Sequence, residues 1–386
     1  MTAPLTGIRV VDLTDASGEL CGRILSDLGA EVVKVEPPGG CEGRRLPPWH
    51  ADTGDSLFWR AFGRGKQSVV LDLDDPADGE RLADLIASAD VAVLSGSMSS
   101  LGLDTDALRQ RNPGLILASI TPYGTTGPRA HWPAADLTVE AAAGRLMLQG
   151  DGDRPPVPIG FPQSGPQGAG AATADIVIAL YERERSGRGQ DLDTSMQIAV
   201  TWTLMNATGY GAVTDDDPAS ADERRAEPRS ELTPGVPYPG VERVADGWVS
   251  ITLPVLGAVT VDSFARLMGW VAADGALPAD LVGVEWGDFV TAVRTDELSR
   301  ADAGRGITAL RAWLSGHTKA DLHRRAVSER VLLAPVATSE DLLADPQLAA
   351  REFWVERDQV REAGPWARMP RTPLIDPTPA PDLGQH

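Results

Sequence analysis

Short apolar runs alternate with amphipathic stretches through the first 120 residues of the chain. The runs IRVVDL, EVVKVE, SVVLDL, VAVLSG and LILASI are rich in β-branched residues and have the length of strands. The stretches GELCGRILSDLGA and DPADGERLADLIASAD, which stand among them, have the apolar spacing of helices. This alternation predicts an α/β fold with a Rossmann-like, doubly wound parallel sheet. Ligands of such sheets bind beyond the carboxyl ends of the strands, here at residues 14–19, 37–40, 96–100 and 121–127.

The character of the chain changes after the middle. Helices are predicted near residues 136–147, 167–185 and 195–209. The next segment, 212–240, is polar and rich in Asp, Pro and Arg, which is typical of a linker.

The second half predicts a smaller domain placed between two parts of the larger one. The large domain takes residues 1–211, and a strand (WVSITL) with several helices makes a small α+β domain over 241–325. Residues 326–386 are expected to return to the large domain and complete it, ending in a Pro-rich, extended tail.

Composition limits the classes of partner. The chain has 55 acidic and 35 basic residues and a formal net charge of −20, which disfavours binding to nucleic acid or to an anionic membrane. No apolar run reaches the about 18 residues of a membrane-spanning helix, and no secretion signal is recognisable, so a cytoplasmic location is expected. The five histidines lack the spacing of metal ligands, so no metal is expected.

A loop of Gly, Pro and Ser before the longest predicted helix raises the question of chemistry. Between Pro158 and Ala174 it contains no Asp, Glu, His, Lys, Arg or Cys. Ser164 could be a nucleophile, but no base stands near it in the sequence, and a turn residue is the simpler interpretation. Asp175, predicted to be partly buried on the helix, could be functional or structural. Asp136 starts the preceding predicted helix, where an N-cap is its simplest role.

A basic turn, GRGKQS at residues 63–68, could bind an anion. Its candidate groups are Arg64 and Lys66. The turn precedes a strand, whereas a phosphate-binding loop opens a helix, so a solvated turn is an equal alternative.

Together, a series of motifs resembles the type III CoA-transferases, the family of formyl-CoA transferase, carnitine CoA-transferase and α-methylacyl-CoA racemase. The motifs follow one another from residue 5 to the last residue: LTGIRVVDLT, LGAEVVKVEPPGG, GRGKQSVVLDLDDPADGERLADLIASADV, NPGLILASITPYGTTGP, ALYERERSGRGQDLDTSM, APVATSEDLLADPQLAAREFW and APDLGQH. The resemblance implies a Rossmann-like large domain made from both chain ends, a small domain between them, and two subunits interlocked like rings. It also implies a CoA thioester as substrate, with no covalently bound cofactor.

The resemblance implies a nucleophile that this chain lacks. In these transferases an Asp carboxylate attacks the acyl-CoA thioester, forms a mixed anhydride and then an Asp–CoA thioester, and passes CoA to a second acid. That Asp stands 25 residues before the Gln of the GRGQ motif. Counting back from Gln190 reaches Gly165, and no carboxylate stands within a few residues of it.

Other family positions also differ. The loop after the first predicted strand carries Asp15 and Glu19, so a CoA phosphate would meet negative charge. The family's Asn-Phe-Arg-Pro-Gly segment is replaced by SGSMSSLGLD, which leaves Ser97 and Met98, with the basic turn, as candidate CoA contacts. The His that the racemase branch places before the Asp of its DL motif is Ala135.

Three hypotheses follow. The chain is a divergent subunit that pairs with itself or with a catalytic paralogue and does not use the Asp-thioester mechanism. Alternatively, it is an enzyme with rewired acid/base chemistry on a CoA thioester or another acyl carrier. The catalytic candidates are then Asp15, Glu19, Asp136 and Asp175. In the third hypothesis it is an active CoA-transferase with an unusual nucleophile.

Overall fold

In the computed structural model of the chain, the N-terminal apolar runs form a parallel sheet. Its strands are β1 (Arg9–Leu13), β2 (Glu31–Glu36), β3 (Lys66–Val70), β4 (Val91–Leu94), β5 (Ile116–Thr121) and β6 (Asp191–Ser195). Their order is β3-β2-β1-β4-β5-β6, and every neighbouring pair is parallel. The predicted doubly wound sheet is confirmed. The direction of winding reverses between β1 and β4, which is where such sheets open a crevice for ligands.

Seven helices belong to this part of the described chain: α1 (Glu19–Asp27), α2 (Leu57–Phe62), α3 (Pro76–Ala87), α4 (Thr105–Arg111), α5 (Asp136–Ala142), α6 (Ser164–Ser186) and α7 (Met196–Trp202). Successive strand residues point to opposite faces, so Val10 packs in one hydrophobic core, with α1 and α6, and Val11 in another, with α3 and α4. Burial of both faces explains why the strands are continuous apolar runs.

The structure describes residues 2–149, 155–205, 231–233, 236–237, 240–254, 257–357 and 360–386. They form two compact units. The first takes the described residues within Met1–Gln149, Pro156–Ala219 and Glu352–His386, and the second takes those within Gly150–Pro155 and Ser220–Arg351. Most of the linker expected at 212–240, and the end of the helix expected at 195–209, lie outside the described residues.

The second unit contains a three-stranded antiparallel sheet and several helices. Its strands are β7 (Glu231–Thr233), β8 (Val236–Pro237), β9 (Val241–Val244), β10 (Gly247–Ile251) and β11 (Leu333–Pro335), and the sheet order is β11-β10-β9. Its helices are α8 (Ala258–Ala273), α9 (Phe289–Arg294), α10 (Arg300–Ser315), α11 (Lys319–Glu329), α12 (Ser339–Ala344) and α13 (Pro346–Ala350). No helix in the described part of either unit is long and apolar enough to cross a membrane.

The return to the first unit comes later than the sequence suggested. The boundary expected after residue 325 is replaced by one at Glu352. The reason is that β11 pairs with β10 and so keeps the segment after α11 in the second unit. A hairpin of β12 (Trp354–Arg357) and β13 (Val360–Ala363) then opens the returning segment.

The C-terminal tail lies along the edge of the parallel sheet. Ser68 of the edge strand β3 donates its backbone NH to the His386 ring nitrogen, and its carbonyl accepts the His386 NH at 3.0 Å. Further back, the Ile375 NH donates to the Asp27 carbonyl at 2.9 Å. The tail therefore pairs backbone groups that the edge strand would otherwise leave open.

Candidate functional site

A cavity of about 460 Å³ opens at the carboxyl ends of β1 to β4. Apolar side chains form much of its wall, among them Leu13, Val35 and Leu71. The backbone NH of Asp15, just after β1, donates to Ser95 Oγ, just after β4, at 3.1 Å, which ties the two strand ends together where the winding reverses. The size and position are those of a small-molecule site in a doubly wound sheet.

Carboxylates dominate the charged lining of the cavity. It includes Asp15, Glu36, Glu42, Asp72 and Asp74, against the single guanidinium of Arg45. Glu36 is paired with Arg44, whose Nε and Nη2 each donate to its carboxylate at 2.7 Å.

Burial alone would raise the pKa of Glu36, but hydrogen bonds from Arg44, Ser68 and the Cys41 NH lower it to about 2. Burial raises the pKa of the Cys41 thiol, which also lines the cavity, to about 12. Glu36 is therefore ionised at neutral pH, while Cys41 stays protonated and is a poor nucleophile.

A fully buried ionic cluster lies beneath the strand ends. Lys66 Nζ is 2.8 Å from Asp12 Oδ2 and also pairs with Glu19, while Lys34 Nζ is 2.9 Å from Glu19 Oε1 and 3.2 Å from Asp12 Oδ1. The Thr14 hydroxyl donates to Asp12 Oδ1 at 2.6 Å.

The pKa values in this cluster follow from its pairing. Burial opposes ionisation of Asp12, but the charges of Lys34 and Lys66 outweigh it and hold the pKa of this carboxyl well below its usual range. Burial likewise opposes protonation of Lys34, yet Asp12 and Glu19 raise its pKa. The cluster thus pairs two positive groups with two negative groups, so its net charge is zero.

The candidate anion-binding turn is placed differently from the sequence expectation. The Lys66 ammonium is enclosed by the buried cluster, and Arg64 is buried with its Nη1 donating to Glu362 Oε2 at 2.6 Å. Both basic groups bind carboxylates of the protein itself. Glu19 is also corrected: it was expected to present negative charge in a loop, but it begins α1 and is buried against the two lysines.

The segment after β4 contributes little side-chain chemistry. Met98 begins a short 3-10 helix (Met98–Leu101), and its side chain is buried in the core that also contains Leu94. Ser97 is half-buried, with its hydroxyl 3.0 Å from Ser99 Oγ. These two residues therefore stay predicted contacts, with Met98 able to offer only backbone groups.

Gly165, the position that the resemblance assigned to a nucleophile, packs against the loop that follows β1. Gly165 is the second residue of α6 and is buried. A methyl group added to it would lie 2.8 Å from the Ser17 carbonyl oxygen and 3.0 Å from the Ser17 Cα. Ser17 is held in turn by its NH, which donates to Asp15 Oδ1 at 2.9 Å. Glycine is the residue that this approach of two backbones allows.

Asp136 reaches the start of α6. Its Oδ1 accepts the backbone NH of Gln163 at 2.8 Å, and the NH and hydroxyl of Ser164 at 2.7 Å each. The expectation that Asp136 caps its own helix is therefore wrong: Ala135 is the N-cap of α5, and Asp136 caps α6. A carboxylate also stands beside the Ser164 hydroxyl, which the sequence alone did not place there.

Glu140 is a buried carboxylate that the sequence prediction missed. It lies one turn after Asp136 on α5, its Oε1 is 3.3 Å from Arg145 Nη1, and its Oε2 has no hydrogen-bond partner among the described residues. Burial raises its pKa, and Arg145 opposes that shift. An acidic residue within the small apolar run TVEAAAG was the available signal.

Asp175 lies apart from this group. It is exposed on α6, where Thr194 Oγ1 donates to its Oδ2 at 3.3 Å, so the expected partial burial is wrong in this chain. No cluster of three potential metal ligands is present in the described part of the chain.

Comparison with known proteins shows which family has this sequence and this fold. Over 354 residues the chain is 32% identical to the succinyl-CoA:(R)-benzylsuccinate CoA-transferase subunit BbsE of Thauera aromatica, covering 90% of this chain and 82% of that protein. It is 29% identical over 402 residues to the succinyl-CoA–L-malate CoA-transferase beta subunit of Chloroflexus aurantiacus, covering 100% and 92%. A CAIB/BAIF family protein from Brucella suis has a similar structure, with a TM-score of 0.81, 26% identity and coverage of 100% and 98%. Residues 5–386 match the sequence model of CoA-transferase family III, and the chain belongs to that family.

Proposed function

We propose that this protein is a non-nucleophilic subunit of an acyl-CoA:carboxylate CoA-transferase, and that it assembles with a catalytic paralogue. The observation that carries the proposal is Gly165. The position that resembles the family nucleophile has no side chain, and the Ser17 backbone occupies the space where one would begin.

The chemistry explains why this loss matters. Transfer through an enzyme-bound anhydride and thioester needs a carboxylate that attacks the thioester carbonyl and later carries CoA. Glycine offers no such group, and removal of a covalent nucleophile typically costs several orders of magnitude in kcat. In our proposal the cavity at the carboxyl ends of β1 to β4 still holds a thioester, while the paralogue supplies the reacting carboxylate.

Two relatives support a subunit role by their names. The Thauera protein is named as a subunit, and the Chloroflexus protein as a beta subunit. We extend to this chain the idea that it works as part of an assembly.

An exposed apolar face supports association. On neighbouring helices α6 and α7, Ile178 is 64% exposed, Tyr181 71%, Ile198 65% and Trp202 69%. Large exposed apolar side chains on two helices that pack together are typical of a protein interface. In our proposal a paralogous subunit of the same fold covers it, with a second copy of this chain as the alternative partner.

A second candidate function rests on Glu140. A buried carboxyl with a raised pKa and an unpartnered oxygen, four residues from Asp136, is a pattern found in acid/base sites. This observation favours an enzyme that moves a proton on a bound thioester. If Glu140 moves the proton, Glu140→Gln abolishes the activity. If Glu140 is only structural, the folded variant keeps the activity.

The test of the first proposal is reconstitution. The chain is assayed for CoA transfer from succinyl-CoA to a panel of carboxylic acids, alone and mixed with a paralogue that carries Asp at the position of Gly165. Transfer by the mixture only, lost when that Asp of the paralogue is changed to Ala, is the expected result. Transfer by the chain alone at the rate of the mixture would overturn the proposal.

A further inference from the structure

A group of arginines gathers where the returning C-terminal segment meets the rest of the first unit. Arg64, in the turn before β3, is only 3% exposed, and its Nη1 donates to Glu362 Oε2 of β13 at 2.6 Å. Arg60 of α2 donates through Nε to the other oxygen of Glu362 at 2.8 Å, and through Nη2 to the Arg357 carbonyl at 3.3 Å. The turn, the helix and the hairpin are therefore joined through one carboxylate.

Two guanidinium groups of this cluster keep a buried N–H without a partner. Nε of Arg64 and Nε of Arg357 are both buried, and neither makes a hydrogen bond with the described residues. Arg357 pairs with Asp376 through Nη2, so its Nε is a separate donor. A buried charged donor without an acceptor is costly, and native proteins contain few of them. These two donors therefore point to an acceptor that the chain itself does not supply.

The register of the hairpin puts the two groups on one side. Val355 of β12 lies opposite Glu362 of β13, and Arg357 is two residues beyond Val355. Residues two apart in a strand point to the same face, so Arg357 lies on the face whose Glu362 binds Arg64. At such a diagonal the Cβ atoms of Arg357 and Glu362 are about 7–8 Å apart, which long side chains can span. One small ligand can therefore contact both arginines.

The charges around Arg64 favour a negative ligand. Burial lowers the pKa of Arg64, the guanidinium of Arg23 lowers it further, and Glu362 opposes these effects only in part. Arg23 is itself paired with Asp27, at 2.9 Å. An anion would stabilise the charged form of Arg64, whereas a water molecule would supply only a hydrogen bond.

The donors suit a small oxyanion. Guanidinium N–H groups make strong, charge-assisted hydrogen bonds to phosphate oxygens, and a tetrahedral ion offers oxygens to donors that approach from different directions. The side chains of Arg60 and Arg357 are 26% and 21% exposed, so an ion can reach the cluster from solvent.

We propose that Arg64 and Arg357 form an anion site that takes a small inorganic oxyanion such as phosphate. Bound there, the ion joins the turn before β3 to the hairpin of β12 and β13 and stabilises the return of the C-terminal segment. The inference does not rest on the proposed function, because neither arginine lines the cavity at the carboxyl ends of β1 to β4.

The test is calorimetric titration of the purified full chain with inorganic phosphate, with chloride at the same ionic strength as the reference. We expect saturable binding, and a rise in the thermal unfolding temperature that chloride does not give. Arg357→Lys keeps the positive charge but removes the Nε donor, and it should weaken phosphate binding about tenfold. The matched control is Arg81→Lys, at an exposed arginine of the same unit that pairs with Asp78, and it should bind phosphate like wild type.

Arg64→Lys should weaken phosphate binding to a similar degree. Circular dichroism checks that each variant folds, and if Arg64→Lys does not, the partly exposed Arg357→Lys decides the question alone. Absence of saturable phosphate binding by the folded wild type would overturn the inference, and so would an unchanged affinity in folded Arg357→Lys. A carboxylate of a neighbouring subunit in this place would give the first of these results. The reconstitution assay tests the proposed function independently, because it measures CoA transfer and not phosphate binding.

Discussion

Asp12 joins two lysines from different strands in a single buried contact. Lys34 is in β2 and Lys66 in β3, and one carboxylate oxygen faces each ammonium. Because the folded-state pKa of Asp12 lies below its unfolded value, the stability it provides is fully present above the unfolded pKa, about 4. That stability is lost as the pH falls from there through the folded pKa.

Asp12→Asn tests this contact. The substitution leaves two buried ammonium groups with only the Glu19 carboxylate, and breaking a buried pair in this way costs about 3–5 kcal/mol. We expect the free energy of unfolding, measured in urea at pH 7, to fall by about that amount, and the loss relative to wild type to shrink below about pH 4. The exposed Asp15→Asn is the control. Equal stability of Asp12→Asn and Asp15→Asn at pH 7 would contradict the role of the cluster.

The signals for these residues were in the sequence, but their pairing was not. A Lys inside EVVKVE and an Asp inside IRVVDL stand out in strands that are otherwise apolar, which indicates that buried charges must be paired. The sequence does not reveal the burial of Glu19, because its partners Lys34 and Lys66 lie 15 and 47 positions further along the chain. Only the register of the parallel strands brings Asp12 of β1, Lys34 of β2 and Lys66 of β3 together.

At the scale of elements, the start of α6 is set by what packs against it. Asp136 of α5 takes three hydrogen bonds from Gln163 and Ser164, and Ser17 closes over Gly165. Orphan NH groups at the first turn of a helix need such an acceptor. The loop without ionisable groups is thus held by a carboxylate from elsewhere in the fold.

A pair of glycines on α6 tests this packing. Gly165→Ala should be destabilising by about 1–3 kcal/mol, because the new methyl group would press on the Ser17 backbone. Gly170→Ala, in the same helix with nothing within 4 Å of the added methyl group, should be stabilising by about 0.5–1 kcal/mol. Thermal unfolding of both variants measures the contrast. Similar shifts of the same sign would show that Gly165 is not constrained by Ser17.

Strands and helices were predictable where a local pattern decides them. The five N-terminal strands follow from β-branched apolar runs, and α3 from Asp75, whose side chain accepts the Ala77 NH at 2.9 Å. Predictions failed where a tertiary partner decides. Asp136 is the first residue of α5, so the sequence suggests that it caps that helix, whereas its side chain binds the start of α6. The sequence also places the return to the first unit too early, because it does not show that β11 pairs with β10 of the second unit.

At the scale of the whole molecule, the exposed apolar face of α6 and α7 predicts assembly. Replacing Ile178 and Trp202 together by Glu should lower the fraction of assembled protein, because charges buried in an interface lose their hydration. Light scattering coupled to gel filtration measures the mass. Val327→Glu, at a residue of the second unit with a comparable exposure of 69%, is the control and should leave the assembly intact. An unchanged mass for the Ile178/Trp202 variant would contradict the proposed interface.

The proposed function requires that this chain carry no nucleophile of its own, and covalent trapping tests that requirement most directly. The purified chain is incubated with succinyl-CoA and treated with borohydride, which reduces a thioester between a side-chain carboxyl group and CoA to an alcohol and releases CoA. The intact mass of the chain is then measured. Our account predicts an unmodified chain, while a paralogue that carries the Asp is modified in the same reaction. A stoichiometric mass change mapped by peptide analysis to a carboxylate of this chain would contradict it.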